Sequence, residues 1–321
     1  MNKTKIEWTS FTWNPIRARR RDMAVDFSGK AITGTFCTRI SPGCQHCYAS
    51  VINKRFGTGL EYTVPNLAKH EFFIDEKILA EPLNRKKPAR IFVGDMFDLF
   101  HEAIPFRLIK QVWDVAAECD WHTFQVLTKR AQRMREFSQW IAGDDHISIA
   151  ERPRNLWLGV SAEDQKRADE RIPLLLQTPA AMRFLSVEPQ LEAIDLTPYL
   201  EDPVYEISLV ICGGESGPGA RPFNLAWAES ILEQCKAAGV PFFMKQIGGR
   251  PYASKDSPSF GYSTLVFREH FMKDRKGGDP SEWPEHLRVR EFPQSQLPRL
   301  EVWACKSNPS PRLLHKTKQL Y

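Results

Sequence analysis

The run Met182-Arg183-Phe184-Leu185-Ser186-Val187, closed by Glu188-Pro189, decides how this chain is read. A short aliphatic and aromatic run followed by an amphipathic stretch is the signature of a βα unit. The same pattern recurs at Arg90–Gly94, Thr123–Leu127, Asn155–Val160, Ile207–Cys212 and Val240–Lys245. Successive starts lie roughly 25–33 residues apart, which leaves room for one helix and two loops per unit. The intervening helices have readable faces: Leu108, Ile109, Val112, Val115 and Ala116 recur at helical spacing, as do Leu225, Ala228, Ile231, Leu232 and Cys235. Asn224 is placed to cap the latter helix and Gly239 to end it. With an earlier strand expected near Ala31–Phe36, the series predicts an α/β fold whose parallel strands curl into a full or partial TIM-like (β/α) barrel. A flat doubly wound sheet is the alternative, and the absence of G-x-G-x-x-G after any strand weighs against its dinucleotide-binding form.

In a barrel of this kind the chemistry belongs at the C-terminal strand ends. Every such end is polar here: Gly94-Asp95-Met96-Phe97-Asp98, Thr128-Lys129-Arg130, Ser161-Ala162-Glu163-Asp164, Ser186-Val187-Glu188-Pro189, Gly213-Gly214-Glu215-Ser216-Gly217 and Lys245-Gln246. Loops are polar in any protein, so each of these residues also has an ordinary structural explanation. The expected organisation is a barrel with an N-terminal cysteine loop over 1–250 and a Pro-rich basic cap over 251–321. Eight prolines fall in that cap, together with Phe260, Tyr262, Leu265, Val266, Phe267, Phe271, Trp283 and Trp303. So many large apolar residues argue for packing over the barrel.

A chain of 321 residues with 42% hydrophobic content can bury a large core without staples. Seven cysteines make an odd count, and no stretch approaches the roughly 20 apolar residues of a membrane span. The expectation is a cytoplasmic protein with reduced thiols and no membrane partner. The net charge of +5 is modest, but 251–321 holds 12 Lys/Arg against 8 Asp/Glu, or +4 of that total, and Arg17, Arg19, Arg20 and Arg21 form a second concentration.

Cys37-Thr38-Arg39-Ile40-Ser41-Pro42-Gly43-Cys44-Gln45-His46-Cys47 sets three thiols within eleven residues, with a Pro-Gly turn bringing the second and third round. Converging thiolates on a turn are what a metal centre needs. A 4Fe–4S cluster held by only three cysteines leaves one iron open, and the amine and carboxylate of S-adenosylmethionine can chelate it. Electron transfer then cleaves the sulfonium to a 5′-deoxyadenosyl radical that abstracts hydrogen. The alternatives are a Cys₃His zinc site completed by His46 or His70, and plain core thiols. Cys119, Cys212 and Cys235 read as core residues, and Cys305 lies alone in the tail.

Ile6-Glu7-Trp8-Thr9, Thr12-Trp13-Asn14-Pro15, Ser41–Ala49, Phe92–His101, Leu185–Pro189, Gly213–Gly217 and Lys245-Gln246 together resemble an uncharacterised three-Cys-motif family of phages and bacterial genomes. The likeness spans nearly the whole chain. That family in turn resembles the radical S-adenosylmethionine superfamily, with six residues in place of three between the first two cysteines. The resemblance implies a cluster on Cys37, Cys44 and Cys47. It implies cofactor contacts from Tyr48 and the strand ends: Asp95 or Asp98, Ser161, Glu163, Ser186, Glu188, and Gly213, Gly214 and Glu215. It also implies a flavodoxin- or ferredoxin-like electron donor; no catalytic residue is assigned.

For the substrate, the Arg17–Arg21 run, the basic tail and Trp8 and Trp13 as stacking surfaces point to nucleic acid or a nucleotide-like molecule that is modified or repaired. The competing reading is a non-enzymatic, zinc-stabilised nucleic-acid- or protein-binding module. A third, a hydrolase using Asp98, Glu188 and Glu215, leaves the cysteines unexplained.

Overall fold

In the computed structural model, which describes residues 1–23, 25, 28–29, 31–143, 153–201, 206–253 and 272–293, the apolar runs become strands of one sheet. The chain opens with β1 (Asn2–Lys3), β2 (Phe11–Trp13), β3 (Ile16–Arg20) and β4 (Thr33–Gly34). The cysteine loop leads into α1 (Tyr48–Phe56), α2 (Val64–Leu67), β5 (His70–Ile74), α3 (Glu76–Leu79) and α4 (Glu81–Asn84). Strand and helix then alternate through β6 (Arg90–Val93), α5 (Phe106–Glu118), β7 (Thr123–Thr128), α6 (Ala131–Ala142), β8 (Leu156–Ser161) and α7 (Gln165–Leu176). They continue with β9 (Met182–Val187), α8 (Thr197–Leu200), β10 (Leu209–Gly213), β11 (Phe223–Asn224), α9 (Leu225–Ala238), β12 (Phe242–Gln246) and β13 (Pro251–Tyr252).

The main sheet has the order β1-β2-β6-β7-β8-β9-β10-β12. Every pair from β2 onward is parallel, and only β1 is antiparallel to its neighbour. Because the order never reverses, there is no switch point, and the doubly wound alternative falls. The sheet curls into a half-barrel, with β1 and β12 at its two ends among the described residues. β8, β9 and β10 are buried at every position, as strands covered on both faces must be.

The alternation of the strands sorts their side chains. Phe124, Val126, Leu158, Val160, Leu185, Val187, Val210 and Cys212 join the helices in the larger core. Phe92, Trp157, Met182, Phe184, Leu209, Ile211 and Phe243 point to the opposite, concave face, where Trp8 packs among them. Gly159 is required there, because a Cβ on it would lie 2.5 Å from the Phe184 ring. α9 begins and ends as the sequence implied: the Asn224 side chain accepts from the Ala226 N–H, and Gly239 takes the left-handed conformation at φ 68°. The open edge of β12 is covered by the extended segment around Arg290, where Met244 N–H donates to Val289 O and Glu291 N–H to Phe242 O.

Three expectations are corrected. The early strand near Ala31–Phe36 is only β4, in a separate antiparallel sheet of order β4-β3-β5. The place beside β6 is taken by β2, whose Trp13 is fully buried, while Gly34 lies too close to Asn53 and Thr58 to carry a side chain. Trp8 and Trp13 are core anchors and offer no stacking surface: Trp8 packs on Phe92 and Phe184, and Trp13 packs on Phe124 and donates to Ile78 O. The Arg17–Arg21 run is only partly open to an anion, because β3 pairs with β5 and sets Arg19 on Glu71, while Arg20 grips Asp22.

Trp283 and Leu287, from the expected cap, pack into the main core. Phe260, Tyr262, Leu265, Val266, Phe267, Phe271, Trp303 and Cys305 lie outside the described residues. Among the described residues, no helix is long and apolar enough to cross a membrane.

Candidate metal and cofactor site

The loop over residues 37–47 runs along the C-terminal edge of the sheet, and four strand ends hold it there. After β7, the Arg130 guanidinium donates from Nη2 to Thr38 O at 3.1 Å and Thr38 Oγ1 at 2.9 Å, and from Nη1 to Cys37 Sγ at 3.6 Å. After β8, Glu163 Oε1 accepts from Gly43 N–H at 3.4 Å, inside the Pro42–Cys44 turn. After β10, Glu215 Oε2 lies 2.9 Å from His46 Nδ1. After β6, Asp95 O accepts from the Tyr48 hydroxyl at 2.7 Å, while the Asp95 carboxylate accepts from Asn14 Nδ2 at 2.7 Å.

The carboxylates at those ends are therefore already engaged. Asp98 accepts from Thr128 Oγ1, Lys129 N–H, Phe100 N–H and Arg130 Nη1, at 2.6–3.1 Å. Burial would raise its pKa, but Arg130 and these donors hold it below the usual carboxylate range. Glu163 is fully buried and paired with Arg171 Nη1 at 2.8 Å; against its burial, Lys129 and Arg171 keep it low. Glu215 is clamped by the Arg221 fork at 2.7 and 3.0 Å, and against burial Arg221 and His46 hold it at about 2. Asp95 is pushed up by burial. Of the five strand-end acids expected to grip a cofactor, Asp98, Glu163 and Glu215 thus use their charge on arginines of the chain itself and Glu188 pairs with Lys245, while half-buried Asp95 is bonded to Asn14.

The rest of the expected set lies on the concave side of the mouth. Ser161 and Ser186 are register partners on β8 and β9, and Lys129 Nζ reaches Ser161 Oγ at 3.1 Å. Glu188 pairs with Lys245 Nζ at 2.5 Å and lies 3.4 Å from Gln246 Nε2. Gly213 and Gly214 leave space against β12: a Cβ on Gly214 would fall 2.8 Å from Ile247 O and 2.8 Å from the Phe223 ring. The buried Gln246 Oε1 has no partner, which leaves an acceptor at this mouth. The hydrolase reading is weakened, since Asp98, Glu188 and Glu215 each sit in an ion pair.

Cys37, Cys44 and Cys47 are free thiols, half-buried. Cys37 interacts electrostatically with Cys44, and Cys37 and Cys47 pack against the same cluster of Ala18, Phe36, Ala49 and Tyr62. Burial pushes the Cys37 thiol up to about 12, with Arg130 opposing it. Among the described residues, no three Cys, His, Asp or Glu side chains converge on a single ion. Cys37 lies within electrostatic reach of Cys44 and shares a packing cluster with Cys47, so the thiols are neighbours that do not close on one point. Thiolates that bind separate irons of a cluster tolerate this better than ligands of one zinc do. His70 is no zinc ligand, since its nitrogens meet Asn66 O and Thr58 Oγ1 and its ring stacks on Phe36. Cys119, Cys212 and Cys235 are buried, as expected.

His101, which closes the Phe92–His101 stretch, has a role that no local pattern signals. Its Nδ1 accepts from Ala103 N–H, so Nε2–H donates to Thr38 Oγ1 at 3.0 Å. Burial, with Arg130 nearby, lowers its pKa to about 4 and keeps it neutral. Arg171 had one signal, a charge on the apolar stripe of Ala168, Ile172 and Leu175.

Fold and site together define an α/β protein with a curled, mostly parallel sheet and a three-thiol loop latched across its C-terminal mouth. The chain belongs to an uncharacterised family, described as "Protein of unknown function (DUF5131)", which matches residues 25–286. Neither the curated proteins nor the solved structures compared with it include a match.

Proposed function

We propose that this chain is a radical S-adenosylmethionine enzyme, its curled sheet acting as a partial TIM-like barrel and Cys37, Cys44 and Cys47 holding a 4Fe–4S cluster. The observation that carries the reading is the position of the three free thiols, on a loop bound to the ends of β6, β7, β8 and β10 at the edge where barrels keep their chemistry. Such a cluster would supply the electron that cleaves S-adenosylmethionine reductively. The chain's own part is to hold and shield the site. Arg130, Glu163 and Glu215 fix the loop, and exposed Tyr48, which follows Cys47, has its hydroxyl tied to Asp95 O at the end of β6. Ser161, Ser186, Glu188, Lys129 and Lys245 line the concave rim with hydroxyls and both signs of charge, suited to a zwitterionic, hydroxyl-rich cofactor. Beneath them the aromatic floor of Trp8, Trp157 and Phe184 excludes water. With Trp8 and Trp13 buried, the substrate proposed, nucleic acid or a nucleotide-like molecule, rests on the basic balance of residues 251–321, and the reductant proposed is a flavodoxin- or ferredoxin-like carrier.

Anaerobic reconstitution tests this. The protein should bind iron and sulfide, and with reductant and S-adenosylmethionine it should release 5′-deoxyadenosine; Cys44→Ala should lose the iron. Stoichiometric zinc without iron would favour a zinc-stabilised binding module and overturn the proposal.

A further inference from the structure

Arg130 is the most heavily engaged side chain around the cysteine loop. Only 5% of its surface is exposed. Nε meets both oxygens of Glu102 at 3.0 and 2.8 Å, Nη1 meets Asp98 Oδ2 at 3.1 Å and Cys37 Sγ at 3.6 Å, and Nη2 meets Thr38 O and Oγ1. Asp98 is in turn held by Thr128 Oγ1 and two backbone N–H groups, so the guanidinium plane has little freedom to turn away from the sulfur. Neutral His101 fixes the far side of Thr38. Among the described residues Cys44 and Cys47 have no comparable hydrogen bond: Cys44 Sγ meets the small Ser41 hydroxyl at 3.7 Å. The three ligand positions are therefore unequal: among the described residues, Cys37 is the sulfur hydrogen-bonded by a buried, permanent cation.

Resting on the cluster reading above, we propose that Arg130 is a positioning residue that latches the Cys37 arm of the loop and, through its N–H donated to Cys37 sulfur, sets the reduction potential of the bound cluster. Hydrogen bonds to ligand sulfur and nearby positive charge favour the reduced form, which carries one more electron. A guanidinium keeps its charge at any working pH and cannot be replaced by lysine without loss of the fork. Two carboxylates, Asp98 and half-exposed Glu102, partly offset that charge. The directional N–H donated to sulfur is therefore the larger part of the effect.

The test uses the full chain with Arg130→Lys, Arg130→Met and Thr38→Val. After anaerobic reconstitution, the cluster potential is titrated by absorbance or electron paramagnetic resonance against dithionite-poised mediators. Arg130→Met should move the potential to more negative values and Arg130→Lys by less, while Thr38→Val, which leaves the sulfur contact intact, should not move it. A merely structural role would leave all cluster-bearing variants at the wild-type potential, and that result overturns the tuning claim. Should Arg130→Met fail to fold, Arg130→Lys against Thr38→Val decides it alone. The latch is read separately in the metal-free protein: amide hydrogen exchange over residues 36–47 should quicken in Arg130→Met and Arg130→Lys. Wild-type protein that takes up no iron would sink the cluster reading and the tuning with it, and unchanged exchange in both variants would overturn the latch.

Discussion

Replacing Glu215 by glutamine should weaken the folded chain at neutral pH and erase much of its sensitivity to acid. Oε2 accepts from His46 Nδ1, Arg221 N–H and Arg221 Nε, and Oε1 accepts from Arg221 Nη2, all within 2.7–3.0 Å. Burial works against the charge, but these partners prevail and hold the carboxyl at about 2, from an ordinary 4.5. At about 1.4 kcal/mol for each tenfold change in proton affinity, holding the carboxyl that low amounts to about 3 kcal/mol. That is a large share of the ~5–15 kcal/mol by which domains are stable. Because the folded pKa is depressed, this contribution is complete above pH ~4.5 and fades as the pH falls towards ~2. Glu215→Gln keeps the shape and loses the charge, so it should cost about 2–3 kcal/mol near pH 7 and progressively less below pH ~4. Equilibrium urea unfolding of both proteins between pH ~7 and ~3 reads the difference. A neutral-pH gap below ~0.5 kcal/mol, or one that does not shrink on acidification, would refute the assignment.

Glu163→Gln leaves Arg171 buried beside an uncharged amide and should cost about 3–5 kcal/mol, with faster amide exchange at Gly43; chemical denaturation and exchange measure the two. Gly159→Ala drives a methyl group into the Phe184 ring and should cost about 1–3 kcal/mol, so an unchanged melting temperature would show that the concave floor is not packed as described. Replacing Arg19, Arg20 and Arg21 together by glutamine should change stability by less than about 1 kcal/mol, since the pairs with Glu71 and Asp22 are exposed; a larger loss in urea melts contradicts that.

Much was legible from the chain alone because it is written in local patterns. The six buried runs announce themselves by composition, and their spacing forces crossover helices. Asn224 and Gly239 mark the ends of α9 through backbone chemistry that needs no distant partner. The C-x-x-C pair and its Pro-Gly turn likewise mark the loop. What lies beyond short range was not legible. The sequence could nominate Asp98, Glu163 and Glu215 as polar strand ends, but not show that Asp98 is paired with Arg130, 32 residues away, or that Glu163 reaches Gly43 across 120 and Glu215 reaches His46 across 169. Nor could it show that Trp8 and Trp13 are buried or that β2, not β4, borders β6, since burial and strand pairing depend on which segments meet. Sequence alone determined the βα series and the three-thiol loop, because hydrophobic period and turn chemistry act between near neighbours. Tertiary structure alone decided which charges neutralise one another and which sulfur faces a cation, because electrostatic pairing depends on distance in space and is indifferent to distance along the chain.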